Sequence, residues 1–179
     1  MPEFCFSNIR KKEYNLSQIL FSKKYKEYKT KAIQVNIYSS LWSKLKHIDR
    51  LTYRRFLQLA WVLNEPPSSL LSEIPSEKEK ENFLKLCSTT ENISKAIKTT
   101  KKMIQYYFEE RKIKKTTFLD SCPDTSLSIS RKTLTRFLKK DSYMEFTLRT
   151  LLIILEVLNL TFTDFFKKII EEECNEHNN

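Results

Sequence analysis

Ser130, Arg131, Lys132, Thr135 and Arg136 stand close together in the stretch SISRKTLTRFLKK, residues 128–140, and their types at this spacing suit the binding of an anion. Ser130 reads as a helix N-cap, its hydroxyl placed to accept a backbone N–H that the first turn leaves unpaired. Ile129 before the cap and Leu134 after that turn pair as a hydrophobic staple. Arg131 and Lys132 are then first-turn residues, where cations oppose the helix dipole and cost roughly 0.3–1 kcal/mol each. A phosphate beside the helix start would reverse that balance, meeting the free N–H groups and both side chains. A solvated helix face in a lysine-rich chain would carry the same residues.

Composition narrows the chemistry. Of the 179 residues 40% are hydrophobic, enough for a core, and none is glycine. Phosphate-cradling loops and dinucleotide folds need backbone that glycine supplies most easily, which argues against P-loop and Rossmann enzymes. A nucleophile elbow needs glycine too. With only His47 and His177 as imidazole bases, we expect no catalytic residues, no cofactor and no enzymatic activity. Cys5, Cys87, Cys122 and Cys174 are scattered, without a CxxC pair, so no metal site or disulfide framework is expected and the thiols should be reduced and mostly buried. No apolar run reaches the roughly 18 residues of a membrane span, and MPEFCFSNIRKKEY lacks the apolar centre of a signal peptide. A cytoplasmic protein with no membrane contact is the expectation.

The net charge of +10 comes in blocks: +9 over residues 1–60, −1 over 61–100, +7 over 101–140 and −5 over 141–179. Two separate basic regions suggest a polyanion contacted twice.

The elements that must position these residues are written twice. An offset of 95 residues aligns TYRRFLQLAWVLNEPPSSLL (Thr52 to Leu71) with TLRTLLIILEVLNLTFTDFF (Thr147 to Phe166). Thr52 meets Thr147, Arg54 meets Arg149, and Val62-Leu63-Asn64 meets Val157-Leu158-Asn159. Tyr53, Phe56, Leu57, Ala60 and Leu63 align with Leu148, Leu151, Leu152, Leu155 and Leu158, the stripe of a core-facing helix. Each copy opens on a threonine cap and ends in a break, a polar cap (Ser68 or Thr163) and an apolar doublet (Leu70-Leu71 or Phe165-Phe166) that opens a further helix. Upstream lie the stripes Ile37, Leu41, Leu45 and Leu134, Phe137, Leu138. Before those come the short helical candidates TKAIQV and KTTFLDSC, and then the first helices YNLSQILFSKKYK and KKMIQYYFEERK.

ISRKTLTRFLKK followed by TLRTLLIILEVLNLTFTDFF resembles the Cro/repressor-type (lambda-repressor-like, XRE) helix-turn-helix family over about residues 99–168, and residues 14–72 resemble it less closely. Both copies lack the glycine usual before the recognition helix, CPDTSLS lengthens that turn in the second copy, and the first replaces the basic start with Tyr38, Ser39 and Ser40. The resemblance implies an all-α fold of two tandem five-helix helix-turn-helix units joined by a helical linker. The boundaries are residues 1–72, a linker over 73–98, and residues 99–179 with an acidic tail. Phe83, Leu84, Leu86, Ile93 and Ile97 of the linker are available for packing, and IIEEECNEHNN reads as a frayed helix end able to compete with DNA for a basic face.

The family's docking geometry puts the third helix into the major groove. The expected base-reading residues are Ser130, Arg131, Lys132, Thr135 and Arg136 in the second copy and Tyr38, Ser39 and Ser43 in the first. The expected phosphate contacts are Lys115, Thr116, Lys139 and Lys140, with Lys29, Lys31, Lys46 and Arg50. Tyr38 and Trp42 have core packing as a competing role. Arg54 and Arg149 suit either a phosphate or a carboxylate partner. Double-stranded DNA is the partner implied, bound by a monomer with internal pseudo-symmetry or by a homodimer, in a transcriptional regulator of a phage, plasmid or other mobile element. A protein-binding helical module, such as a phage-encoded inhibitor of a nuclease or polymerase, is the alternative on the same scaffold. RNA stacking on Tyr106, Tyr107 and Phe108 is a third.

Overall fold

The computed structural model describes residues 50–71, 73–120, 129–139 and 145–176. Among the described residues every regular element is a helix: α1 (Tyr53–Leu63), α2 (Pro67–Leu70), α3 (Glu77–Cys87), α4 (Thr90–Glu110), α5 (Lys115–Asp120), α6 (Arg131–Phe137), α7 (Leu148–Val157) and α8 (Phe162–Glu176). None of them is long and apolar enough to cross a membrane.

The 95-residue offset has a structural meaning at both ends of α1 and α7. Thr52 caps α1 by accepting the Arg55 N–H at 3.3 Å, and Thr147 caps α7 by accepting the Thr150 N–H at 3.2 Å. At the other end Asn64 (φ 55°) and Asn159 (φ 53°) are both left-handed. Asparagine tolerates that region better than any residue but glycine, and this chain has no glycine. The following N–H then closes each helix, Glu65 to the Ala60 carbonyl at 3.1 Å and Leu160 to the Leu155 carbonyl at 2.9 Å. Every buried position expected of the two stripes is buried.

The two copies meet at their caps. Tyr53 N–H donates to the Phe146 carbonyl and Leu148 N–H donates to the Leu51 carbonyl, both at 2.8 Å, in an antiparallel bridge of Thr52 with Thr147. Each partner is the other's equivalent under the offset, so the exchange is reciprocal and a local two-fold axis relates the start of α1 to the start of α7. Tyr53 stacks on Phe146 (5.3 Å between ring centroids), and Phe162 meets Phe56 edge-on at 5.9 Å. The core therefore runs through the junction.

The segment before α3 and the first turn of α3 each supply a cap, one to each copy. Glu73 accepts the Phe162 N–H at 3.1 Å and the Thr163 N–H at 2.7 Å at the start of α8. Glu79, fully buried, accepts the equivalent Ser68 N–H at 2.8 Å in α2 and the Ser68 hydroxyl at 2.7 Å. Pro67, the equivalent of Phe162, has no N–H to offer, which is why the second oxygen of Glu79 takes a hydroxyl. Burial pushes the Glu79 carboxyl above the usual carboxylate range, against the pull of the Ser68 donors. With its folded pKa raised, Glu79 contributes stability that is present below the unfolded value and lost as pH rises through the folded one. Glu79→Gln keeps an acceptor for the Ser68 N–H without the charge. It should match or exceed the parent protein in urea unfolding at about pH 8 and lose that advantage at about pH 4. Glu79→Ala strands a buried donor and should cost about 1–3 kcal/mol.

α3 and α4 are packed elements. Phe83, Leu86 and Ile93 are buried and Ile97 joins the core, while Leu84 is exposed. α4 runs without a break past residues 98–99. The acidic end of the chain is more ordered than its composition suggests, since α8 continues to Glu176. Glu173 is buried and accepts the Thr99 hydroxyl, and Glu171 pairs with Lys78 at 2.8 Å. Cys87 is buried and Cys174 exposed.

Candidate nucleic-acid interface

α6 is held by one face. Ser130 accepts the Thr133 N–H at 3.1 Å and shares a hydrogen bond with the Thr133 hydroxyl at 2.8 Å, so the expected cap forms and the Ser130 hydroxyl is engaged within the helix. Ile129 and Leu134, the staple pair, are both buried. Phe137 is buried edge-on against Phe146 at 4.7 Å. Gln105 of α4 donates to the Leu138 carbonyl at 3.2 Å and ties down the far end. α5 packs against α6, anchored through Phe118, which lies 5.2 Å from Phe108.

The opposite face of α6 is solvent. Arg131, Lys132, Thr135, Arg136 and Lys139 are all exposed, so every outward position except Thr135 carries a positive charge. Among the described residues the ion pairs are Arg54 with Glu145, Lys78 with Glu171 and Lys80 with Glu77, and none involves these four cations. α6 has only seven residues, little more than half of an ordinary helix. The side-chain charges, more than the helix dipole, make this face attractive to an anion. Lys115 and Thr116 are exposed in the first turn of α5, beside exposed Lys112 and Lys114.

Arg50 is exposed. Tyr38, Ser39, Ser43, Lys29, Lys31, Lys46 and Lys140 lie outside the described residues, as does Trp42. Arg54 takes a carboxylate, Glu145 at 2.7 Å, and also donates to the Ser94 hydroxyl at 3.0 Å. Arg149 is half-buried. Of the three aromatics considered for base stacking, Tyr107 and Phe108 are buried and Tyr106 is exposed.

Lys101 escaped the sequence reading. It is nearly buried, with its ammonium 6.0 Å from the centre of the Phe146 ring, and burial holds its pKa below the usual lysine value. Its helical spacing with Ile97, Ile104 and Phe108 was the available signal. No protein-family model matches the chain, and no curated protein or solved structure matches it either.

Proposed function

We propose that this protein is a sequence-specific double-stranded DNA-binding regulator of transcription that reads the major groove with α6. The observation that carries the reading is the outward face of α6, where three of four positions (Arg131, Lys132 and Arg136) are cationic and in no ion pair among the described residues, with exposed Lys139 just past the helix end, while the inward face is locked by Leu134 and Phe137. Rigid backing matters because a base-edge contact needs an arginine fork held at a set angle. Arg131 and Lys132 would contact guanine edges, Thr135 and Arg136 the next bases, and Lys139, Lys115 and Thr116 the phosphates. The reciprocal bridge between Thr52 and Thr147, which relates the start of α1 to the start of α7, supports a pseudo-symmetric monomer, the arrangement that would suit half-sites of opposite orientation.

Gel shifts over a salt series test this. Affinity for duplex should fall with salt with a slope of about −0.9 for each phosphate neutralised. Arg131→Ala should relax preference at one base position by about 1–3 kcal/mol, whereas Lys139→Ala should weaken every sequence alike. An equal loss on all sequences from Arg131→Ala would remove it from the reading head, and no binding to any duplex in a randomised pool would end the proposal.

A further inference from the structure

We infer that the cleft enclosed by α3, the start of α4 and the end of α8 is a binding site for a small apolar α-amino acid. The inference stands apart from the DNA-binding reading, since no residue of α5 or α6 lines the cleft.

The cleft follows from how α8 crosses the hairpin of α3 and α4. Only Ser88 and Thr89 separate the two helices, and Asn92 ties the corner by donating to the Lys85 carbonyl at 2.8 Å. The end of α8 is pinned farther from the corner on both arms: Glu171 pairs with Lys78 of α3 at 2.8 Å, and Glu173 accepts the Thr99 hydroxyl of α4. Between those pins and the corner lies an open space of about 450 Å³, within the range of small-ligand sites.

Its lining has three chemistries in one place. Leu86 of α3 and Ile170 of α8, both buried, give it an apolar wall. Lys85 and Lys95, both exposed, stand on it from α3 and α4. Glu81 and Glu91 stand one turn before those lysines but do not line the cleft, so within the lining two ammonium groups face a single carboxyl, Glu173. Glu173 is nearly buried, and among the described residues its hydrogen bond is with the neutral Thr99 hydroxyl. Asn82 and Asn92 use amide hydrogens on the Lys78 and Lys85 carbonyls at 2.9 and 2.8 Å, which turns each side chain's remaining capacity toward accepting. A short aliphatic zwitterion fits all three: its side chain on Leu86 and Ile170, its carboxylate between the lysines, its ammonium on Glu173. A charge-assisted hydrogen bond is what a buried carboxyl gains most from. A simple aliphatic acid would leave Glu173 without that donor, and a simple amine would add a third cation to the two lysines.

The test titrates the full-length protein with L-leucine, L-isoleucine, L-valine and L-methionine by isothermal titration calorimetry, and at least one should bind at a single site per chain. Glu173→Gln keeps an acceptor for Thr99 and should weaken that binding about ten- to a hundredfold, as should Lys85→Gln/Lys95→Gln, with circular dichroism reporting the same helix content. The corresponding acid without the amine, and the amine without the carboxylate, should each bind at least about tenfold more weakly. Cys174, exposed on the same cleft, should react more slowly with a maleimide when the amino acid is present, and peptide mass spectrometry separates it from the other cysteines. That protection, measured in the parent protein, decides the matter if a variant loses helix content. No binding by any of the four, or binding that both variants and the Cys174 reaction leave unchanged, overturns the site and leaves the α6 reading as it stands.

Discussion

Replacing Arg131, Lys132 and Arg136 together with alanine should reduce affinity for the selected duplex at least a hundredfold without unfolding the protein. Three lost base contacts at about 1–3 kcal/mol each account for that figure. The fold should tolerate the change because all three side chains are exposed and α6 is anchored by Leu134, Phe137 and the Gln105 hydrogen bond. Exposed substitutions away from packing usually stay within about 0.5 kcal/mol, and alanine is a better helix former than either cation. Fluorescence anisotropy with labelled duplex, alongside urea unfolding of the same sample, separates the two outcomes. Unchanged affinity at unchanged stability would show that α6 does not meet DNA.

Phe162→Ala should have the largest effect on stability, about 3–5 kcal/mol. Phe162 is fully buried at the first position of α8, stacked on Phe166 at 5.4 Å and edge-on to Phe56 and Tyr53 at 5.9 and 6.5 Å. Two of those partners belong to α1 in the first copy, so the truncation opens a void at the junction of the repeats. A shared core predicts a single unfolding transition, lowered as a whole. In a Trp42→Phe background that leaves Trp61 of α1 as the sole tryptophan, fluorescence and far-ultraviolet circular dichroism should agree on one midpoint for the parent and on one lower midpoint for the variant. Two separated midpoints in the parent would mean that the copies fold as independent domains.

Legibility followed the range of the interaction. A threonine cap reaches three residues ahead and a left-handed asparagine closes the turn just behind it. Thr52, Thr147 and the Ser130 cap with its Ile129–Leu134 staple were therefore readable from spacing alone, whereas the alignment of Asn64 with Asn159 marked a break without giving its left-handed backbone. The cationic outward face of α6 was readable for the same reason, since burying Leu134 and Phe137 turns Arg131, Lys132 and Arg136 outward. The acidic tail misled because composition measures average solvation. A single carboxylate, Glu173, found the Thr99 hydroxyl across 74 residues, and a hydrogen-bonded buried carboxylate docks a helix that charge alone would fray.

Residue order by itself was enough to specify where α1, α6 and α7 start and which side of each is apolar, because those choices are made within a turn or two of chain. The exception is α4, which begins at Thr90 and not near Lys101, where the sequence pattern starts the first helix of the second copy. Pairings between distant positions were decided only when the helices packed: Arg54 with Glu145, Glu73 on the start of α8, and the reciprocal exchange between Thr52 and Thr147. Each joins groups some 90 residues apart, so neither partner's local surroundings encode the other. Folding the two copies against one shared core brings those groups within bonding distance.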